Sequence, residues 1–180
     1  MRLTPYESHN LIFIDTEFTS LDPSTGQILS IGIVKLSGEE LYLELEYEGA
    51  VDPWVSKNIM PTLTGVKVGL AEAKKLVKKF VGSKKPFAVA FVDNYDNLYF
   101  VKMFGVGKLP FNWMTIDFTS ILFANGINPT KFLASESEAK ALYRGLGIDL
   151  QKYKAHYALD DARLLRDAWL AVIEIGRAHV

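Results

Sequence analysis

A chain of 180 residues with 49% hydrophobic and 12% aromatic side chains is long enough for one domain with a sizeable core, and its formal net charge of −1 supplies no global positive field for nucleic acid. The absence of cysteine excludes disulfides, thiolate nucleophiles and cysteine-bound zinc, and leaves hard oxygen donors as the plausible metal chemistry. No apolar run reaches the length of a membrane span and the opening MRLTPYESHN lacks a secretory signal pattern, so a cytoplasmic location without membrane contact is expected.

In chain order, His9 is expected at the surface just before LIFID (11–15), a continuous apolar run of strand length. ILSIGIVKL (28–36) follows after the turn DPSTGQ, and LYLELEYE (41–48) alternates apolar and acidic residues as a half-buried antiparallel strand does. Three strands joined by short turns predict a meander. AEAKKLVKKFV (71–81) then reads as an amphipathic helix, FAVAFV (87–92) as a buried strand, YDNLYFVKMF (95–104) as a helix and WMTIDF (113–118) as a fifth strand. Helices are expected near 118–125, 135–145 and 158–174. The plan is α/β: a mixed five-stranded sheet flanked by helices, in an order that resembles the ribonuclease H-like fold. Residues 1–174 are read as one domain. The tail IGRAHV (175–180) matches the in-frame translation of a widely used sequencing adapter, and it carries no functional weight, His179 included.

The chemistry concentrates in three places. Asp15 and Glu17, two apart on a strand, present two carboxylates to one side at its carboxyl end, and with no basic residue nearby in sequence they call for a cation. Asp96 shares a helix side with Tyr99, Phe100 and Met103, an acid on an apolar stripe, whereas Asp93 is accounted for as a helix cap. In HYALDDA (156–162), the stripe Ala158, Ala162, Leu165, Trp169, Val172 has spacings of four, three, four and three, and Asp161 falls on it. Asp160 belongs to a polar face with Arg163 and Asp167. No lysine or arginine lies on the stripe, so a metal ion is the economical partner for Asp161.

Asp15-x-Glu17, Asp96 after a strand and an aromatic, and His156-x-Ala158-x-x-Asp161 together resemble the DEDDh (DnaQ-like) 3′-5′ exonucleases, over residues 10–172. DTEFTSLDPSTGQILSIGIV is similar to that family's first motif, including its oligoribonuclease branch, and TLTGV (62–66) to the TGI segment many members carry. The resemblance implies hydrolysis of a phosphodiester at the 3′ end of single-stranded RNA or DNA, with two divalent cations, Mg²⁺ or Mn²⁺, about 4 Å apart. It implies that Asp15, Glu17 and Asp161 hold one metal, that Asp15 bridges to a second near Asp96, and that His156 takes the proton of the attacking water. Phe18 and Leu21 match positions placed against the terminal bases.

Three departures stand out. Ser20 replaces a frequent Gly. Phe91 and Val92 stand where a His-Asn pair is common, which keeps Asp93 as a weaker alternative to Asp96. Tyr157 precedes Asp161 by four, the spacing of the DEDDy subclass, and competes with His156 as base; a tyrosine pKa near 10 disfavours it at neutral pH. Lys74, Lys75, Lys78 and Lys79, with Lys84 and Lys85, read first as a solvated surface. Lys152 and Lys154 are better placed for substrate phosphates, and Asp117 reads as a helix cap. A homodimer or a polymerase is the expected kind of protein partner. The competing class is a non-catalytic nucleic-acid-binding or assembly module of the same fold.

Overall fold

The computed structural model describes residues 10–131 and 136–178; His9 and His179 lie outside them. β1 (Leu11–Phe18) pairs antiparallel with β2 (Ile28–Lys35), which pairs antiparallel with β3 (Glu40–Leu45), giving the expected meander. β4 (Lys67–Val68) adds parallel to the free edge of β3. On the other side β5 (Phe87–Ala90) lies parallel to β1, and β6 (Ile116–Asp117) parallel to β5. The described sheet thus has six strands in the order β4-β3-β2-β1-β5-β6, and β1 sits inside it. Because helices also cover both faces of the sheet, β1 is buried on both, which is why Leu11–Ile14 is unbroken apolar sequence.

The sheet was expected to hold five strands. The additional β4 is two residues long, too short to show an alternation, and it forms by pairing with Glu44 and Leu45. Four expected strands end short of their sequence patterns: 113–118 contracts to Ile116–Asp117, 41–48 stops at Leu45, 87–92 at Ala90 and 28–36 at Lys35.

Helices cover both faces. α2 (Leu70–Val81) and α3 (Asp93–Phe104) pack on Ile12, Ile14, Ile31 and Ile33 through Ala73, Val77, Tyr99 and Phe100. α4 (Phe118–Ala124) and α6 (Ala158–Ala178) cover Phe13, Val34 and Val89 through Phe118, Leu122, Ala162 and Leu165, with α5 (Glu136–Gly145) alongside. A short α1 (Pro53–Asn58), absent from the sequence reading, closes a small cluster of Leu29, Val55 and Ile59. Its start is written in Asp52-Pro53: the Asp52 carboxylate accepts from the Trp54 amide, and proline takes the first helical position. Asp117 caps α4 as expected, accepting from the amides of Thr119 and Ser120. Asp93, by contrast, does not cap α3: Val92, in a left-handed conformation, precedes the helix, and the Asp93 carboxylate accepts the Thr115 hydroxyl.

Gly32 sets how close α6 comes to the sheet. It pairs with Asp15, and a Cβ there would lie 2.1 Å from the Ala158 carbonyl oxygen and 2.6 Å from the Leu159 amide nitrogen. Those are backbone atoms, so they cannot swing away. Gly32→Ala is therefore expected to push out the first turn of α6, costing about 1–3 kcal/mol in denaturant melts. Unchanged stability would show that the turn yields freely.

Candidate active site

The pleat of β1 decides which acids meet. Asp15 and Glu17 share a face with Phe13, which packs toward α6, whereas Thr16 shares the other face with Ile14, toward α3. α6 brings Asp161 to the first pair, and Asp15, Glu17 and Asp161 each offer a carboxylate oxygen such that all three lie within 4.8 Å of one another. Asp160 is turned aside, as the helical phase requires: it pairs with Arg163 at 2.6 Å and accepts from the Lys154 amide, while Arg163 forks onto Glu40.

Asp96 approaches from the opposite face. It is 5% exposed, and its carboxylate accepts the Thr16 hydroxyl at 2.6 Å. Four carboxyl groups thus converge around the end of β1, and among the described residues none of them makes an ion pair. Burial, and after it repulsion from Asp161, Asp96 and Glu17, hold the Asp15 carboxyl well above its ordinary range. Burial, then Asp161 and Asp96, push Glu17 up to about 8. Burial raises Asp96 to about 7 against the lowering effect of its bond from Thr16, and raises Asp161 to about 7 against hydrogen bonding from the backbone at His156. A compact set of hard oxygen donors that repel one another fits a divalent cation.

This repulsion makes stability depend on pH in a definite direction. Unfolded, the acids titrate near pH 4; folded, three of them hold their protons to about pH 7 or 8. Across that window the folded chain binds more protons, so metal-free stability is greatest at the acid end and falls as pH rises. A divalent cation binds the ionised acids, so its stabilising effect grows with pH. Thermal melts with chelator and with magnesium, across the same pH series, should diverge toward the alkaline end. Parallel curves would contradict a metal at these acids.

His156 precedes α6 at the surface, in a left-handed conformation (φ 58°). Its ring meets the edge of Trp54 at 5.1 Å and 88°, and partial desolvation lowers its pKa. Tyr157 faces elsewhere: its ring packs 4.5 Å from Tyr42, and burial with the nearby Asp160 and Glu44 raises its pKa.

Phe18 and Leu21 occupy different settings. Phe18 stacks on Tyr99 at 4.3 Å and joins the core, while Leu21 is 62% exposed at the tip of the loop after β1. α3 holds that loop. Tyr99 donates to the Ser20 carbonyl, and Lys102 donates to the carbonyls of Pro23 at 2.9 Å and Gly26 at 2.6 Å. Lys154 lies over the Tyr157 ring at 5.6 Å, and Lys78 and Lys79 are exposed. Sequence reasoning gave no individual role to Trp54, Thr62 or Gly32, although Thr62 opens the TLTGV segment. For Trp54 the helix-start signal Asp52-Pro53 was available; for the other two, no local pattern announces a contact made across the fold.

Six strands in this order, with paired acids on an interior strand answered by an acid on the last helix, give a fold shared with solved exonuclease I structures. Among solved structures the chain is similar to exonuclease I from Methylocaldum szegediense (16% identity, TM-score 0.68, 93% of this chain and 41% of that one). It is likewise similar to E. coli exonuclease I in complex with a dA16 oligonucleotide (14%, TM-score 0.65, 94% and 41%) and to the zinc-bound form of the E. coli enzyme with single-stranded DNA (15%, TM-score 0.66, 93% and 41%). By sequence it is similar to DNA polymerase III PolC-type from Thermotoga petrophila, 25% identical over 178 residues, and from Thermotoga maritima, 26% identical over 172 residues. The chain covers 12% of the length of each polymerase. No protein-family model matches the sequence. No helix among the described residues is long and apolar enough to cross a membrane.

Proposed function

We propose that this chain is a metal-dependent 3′-to-5′ exonuclease domain, which hydrolyses phosphodiester bonds of single-stranded nucleic acid or short oligonucleotides and releases nucleoside 5′-monophosphates. The observation that carries the reading is the cluster of Asp15, Glu17 and Asp161 within 4.8 Å on an exonuclease fold. Asp15, Glu17 and Asp161 would hold one divalent cation, and Asp15 with Asp96 a second. When bound, two such ions supply Lewis-acid polarisation of the phosphate and charge stabilisation of the attacking and leaving oxygens.

The protein's own part is to orient and to move a proton. His156, its pKa lowered by desolvation, is neutral near pH 7 and able to accept the proton of the attacking water. Asp161, bonded by the backbone at His156, keeps the His156 loop next to the acids. Leu21, held out by the loop that Tyr99 and Lys102 fix, offers an apolar surface to the terminal base, while Phe18 stacks on the Tyr99 that holds that loop. Stacking of that kind is tolerant of sequence.

The substrate class draws support from the E. coli exonuclease I complex with dA16, and a polymerase as working partner from the PolC-type relatives. A non-catalytic binding module is disfavoured on energetic grounds: it would keep four crowded acids, two of them buried and two partly so, with nothing to offset their cost. Digesting RNA and DNA oligomers of several lengths side by side tests the reading. Shortening from the 3′ end is expected, lost in Asp15→Ala; no cleavage of either polymer would sink it.

A further inference from the structure

Thr62, in the segment between α1 and β4, is tied to the far side of the chain. Its hydroxyl is buried and lies 2.8 Å from the Ile59 carbonyl and 2.9 Å from the carbonyl of His156, a partner 94 residues away. The segment is itself anchored to the sheet: the amides of Thr64 and Gly65 donate to one Glu44 carboxylate oxygen at 2.9 and 2.8 Å, and Glu44 is buried on β3. His156 is a non-glycine residue at φ 58°, a conformation that persists only where the surroundings impose it. The bond into its carbonyl fixes the peptide that follows it, and with it the direction in which the imidazole leaves the backbone.

We propose that Thr62 is a positioning residue for His156: through the hydrogen bond to the His156 carbonyl it holds the imidazole where it can take the proton of the attacking water. This rests on the exonuclease reading, and on His156 as its base. The segment reaches His156 by a strut that runs from β3 through Glu44 to Thr64 and Gly65 and then to Thr62.

Thr62→Val keeps the shape of the side chain and removes the donor. Misplacement of a reacting group by about 1 Å can cost on the order of 100-fold in rate, so kcat should fall roughly 10- to 100-fold. KM for a single-stranded oligomer should stay near the wild-type value, because the hydrogen bonds of this segment do not involve Leu21, which sits on the loop after β1. Thr62→Ser, which restores a hydroxyl, should recover most of the rate. In a His156→Ala background Thr62→Val should cost nothing further, since its effect runs through the missing ring. If the valine variant melts too early to assay, Thr62→Ala gives the same contrast. A Thr62→Val enzyme with wild-type kcat, or one whose loss is the same with and without His156, would overturn the proposal. Wild-type activity in His156→Ala itself would instead overturn the assignment of the base, and the two failures are separate.

Discussion

Asp15→Asn will abolish cleavage, by about 10³-fold or more, and will at the same time raise the melting temperature of the metal-free protein. The first effect follows from position. Asp15 lies in the middle of the acids, next to Asp161, Asp96 and Glu17 at once, and an amide oxygen is a poor substitute for a charged ligand that both ions are proposed to share. The second follows from the same crowding. Asp15 is raised first by burial and then by three neighbouring carboxylates, so at neutral pH folding must protonate it or bury its charge, a cost that a neutral side chain of the same shape does not carry. Relief of about 1–3 kcal/mol is expected, or ~2–4 °C per kcal/mol for a domain of this size. Added magnesium should invert the order, stabilising the wild type and leaving the variant unmoved. Loss of activity without a gain in metal-free stability would mean that the acids are already neutralised by something other than a cation.

The second large effect separates His156 from Tyr157. His156→Ala is expected to lower kcat by about 10²–10⁴-fold, the range for removal of a general base, with little change in stability because the ring is at the surface. Tyr157→Phe is expected to stay within a few-fold of wild type. The Tyr157 ring packs 4.5 Å from Tyr42, and burial together with nearby carboxylates moves its hydroxyl further from the range useful at neutral pH. His156 is shifted the other way, toward the neutral form that accepts a proton. An active His156→Ala with an inactive Tyr157→Phe would exchange the two roles.

Much of this was legible because it is periodic. A period of two put Asp15 and Glu17 on one face, and a period near 3.6 chose Asp161 over Asp160 and put Asp96 on the side of Tyr99, Phe100 and Met103. Sequence alone could not say that Asp96 would meet Thr16, since that bond depends on α3 packing against the face of β1 opposite to α6. Gly32 and Thr62 were silent for the same reason: each matters through a contact with residues 156–159, far along the chain. Asp93 shows the converse error. A cap was inferred from its place at a helix start, but the left-handed Val92 displaced the start by one residue and left the carboxylate to Thr115. β4 was missed because two residues carry no period, and α1 because its signal was a cap and not a stripe.

The central claim is that the acids around β1 hold divalent cations used to cut a strand from its 3′ end. The measurement that meets it most directly is the first product released from a single-stranded oligomer labelled on its 3′-terminal nucleotide, followed during a manganese titration. A labelled nucleoside 5′-monophosphate is predicted as that first product, rising with manganese, suppressed by chelator and absent with Asp15→Ala. Label released as longer fragments, or released equally well without a divalent ion, would contradict it.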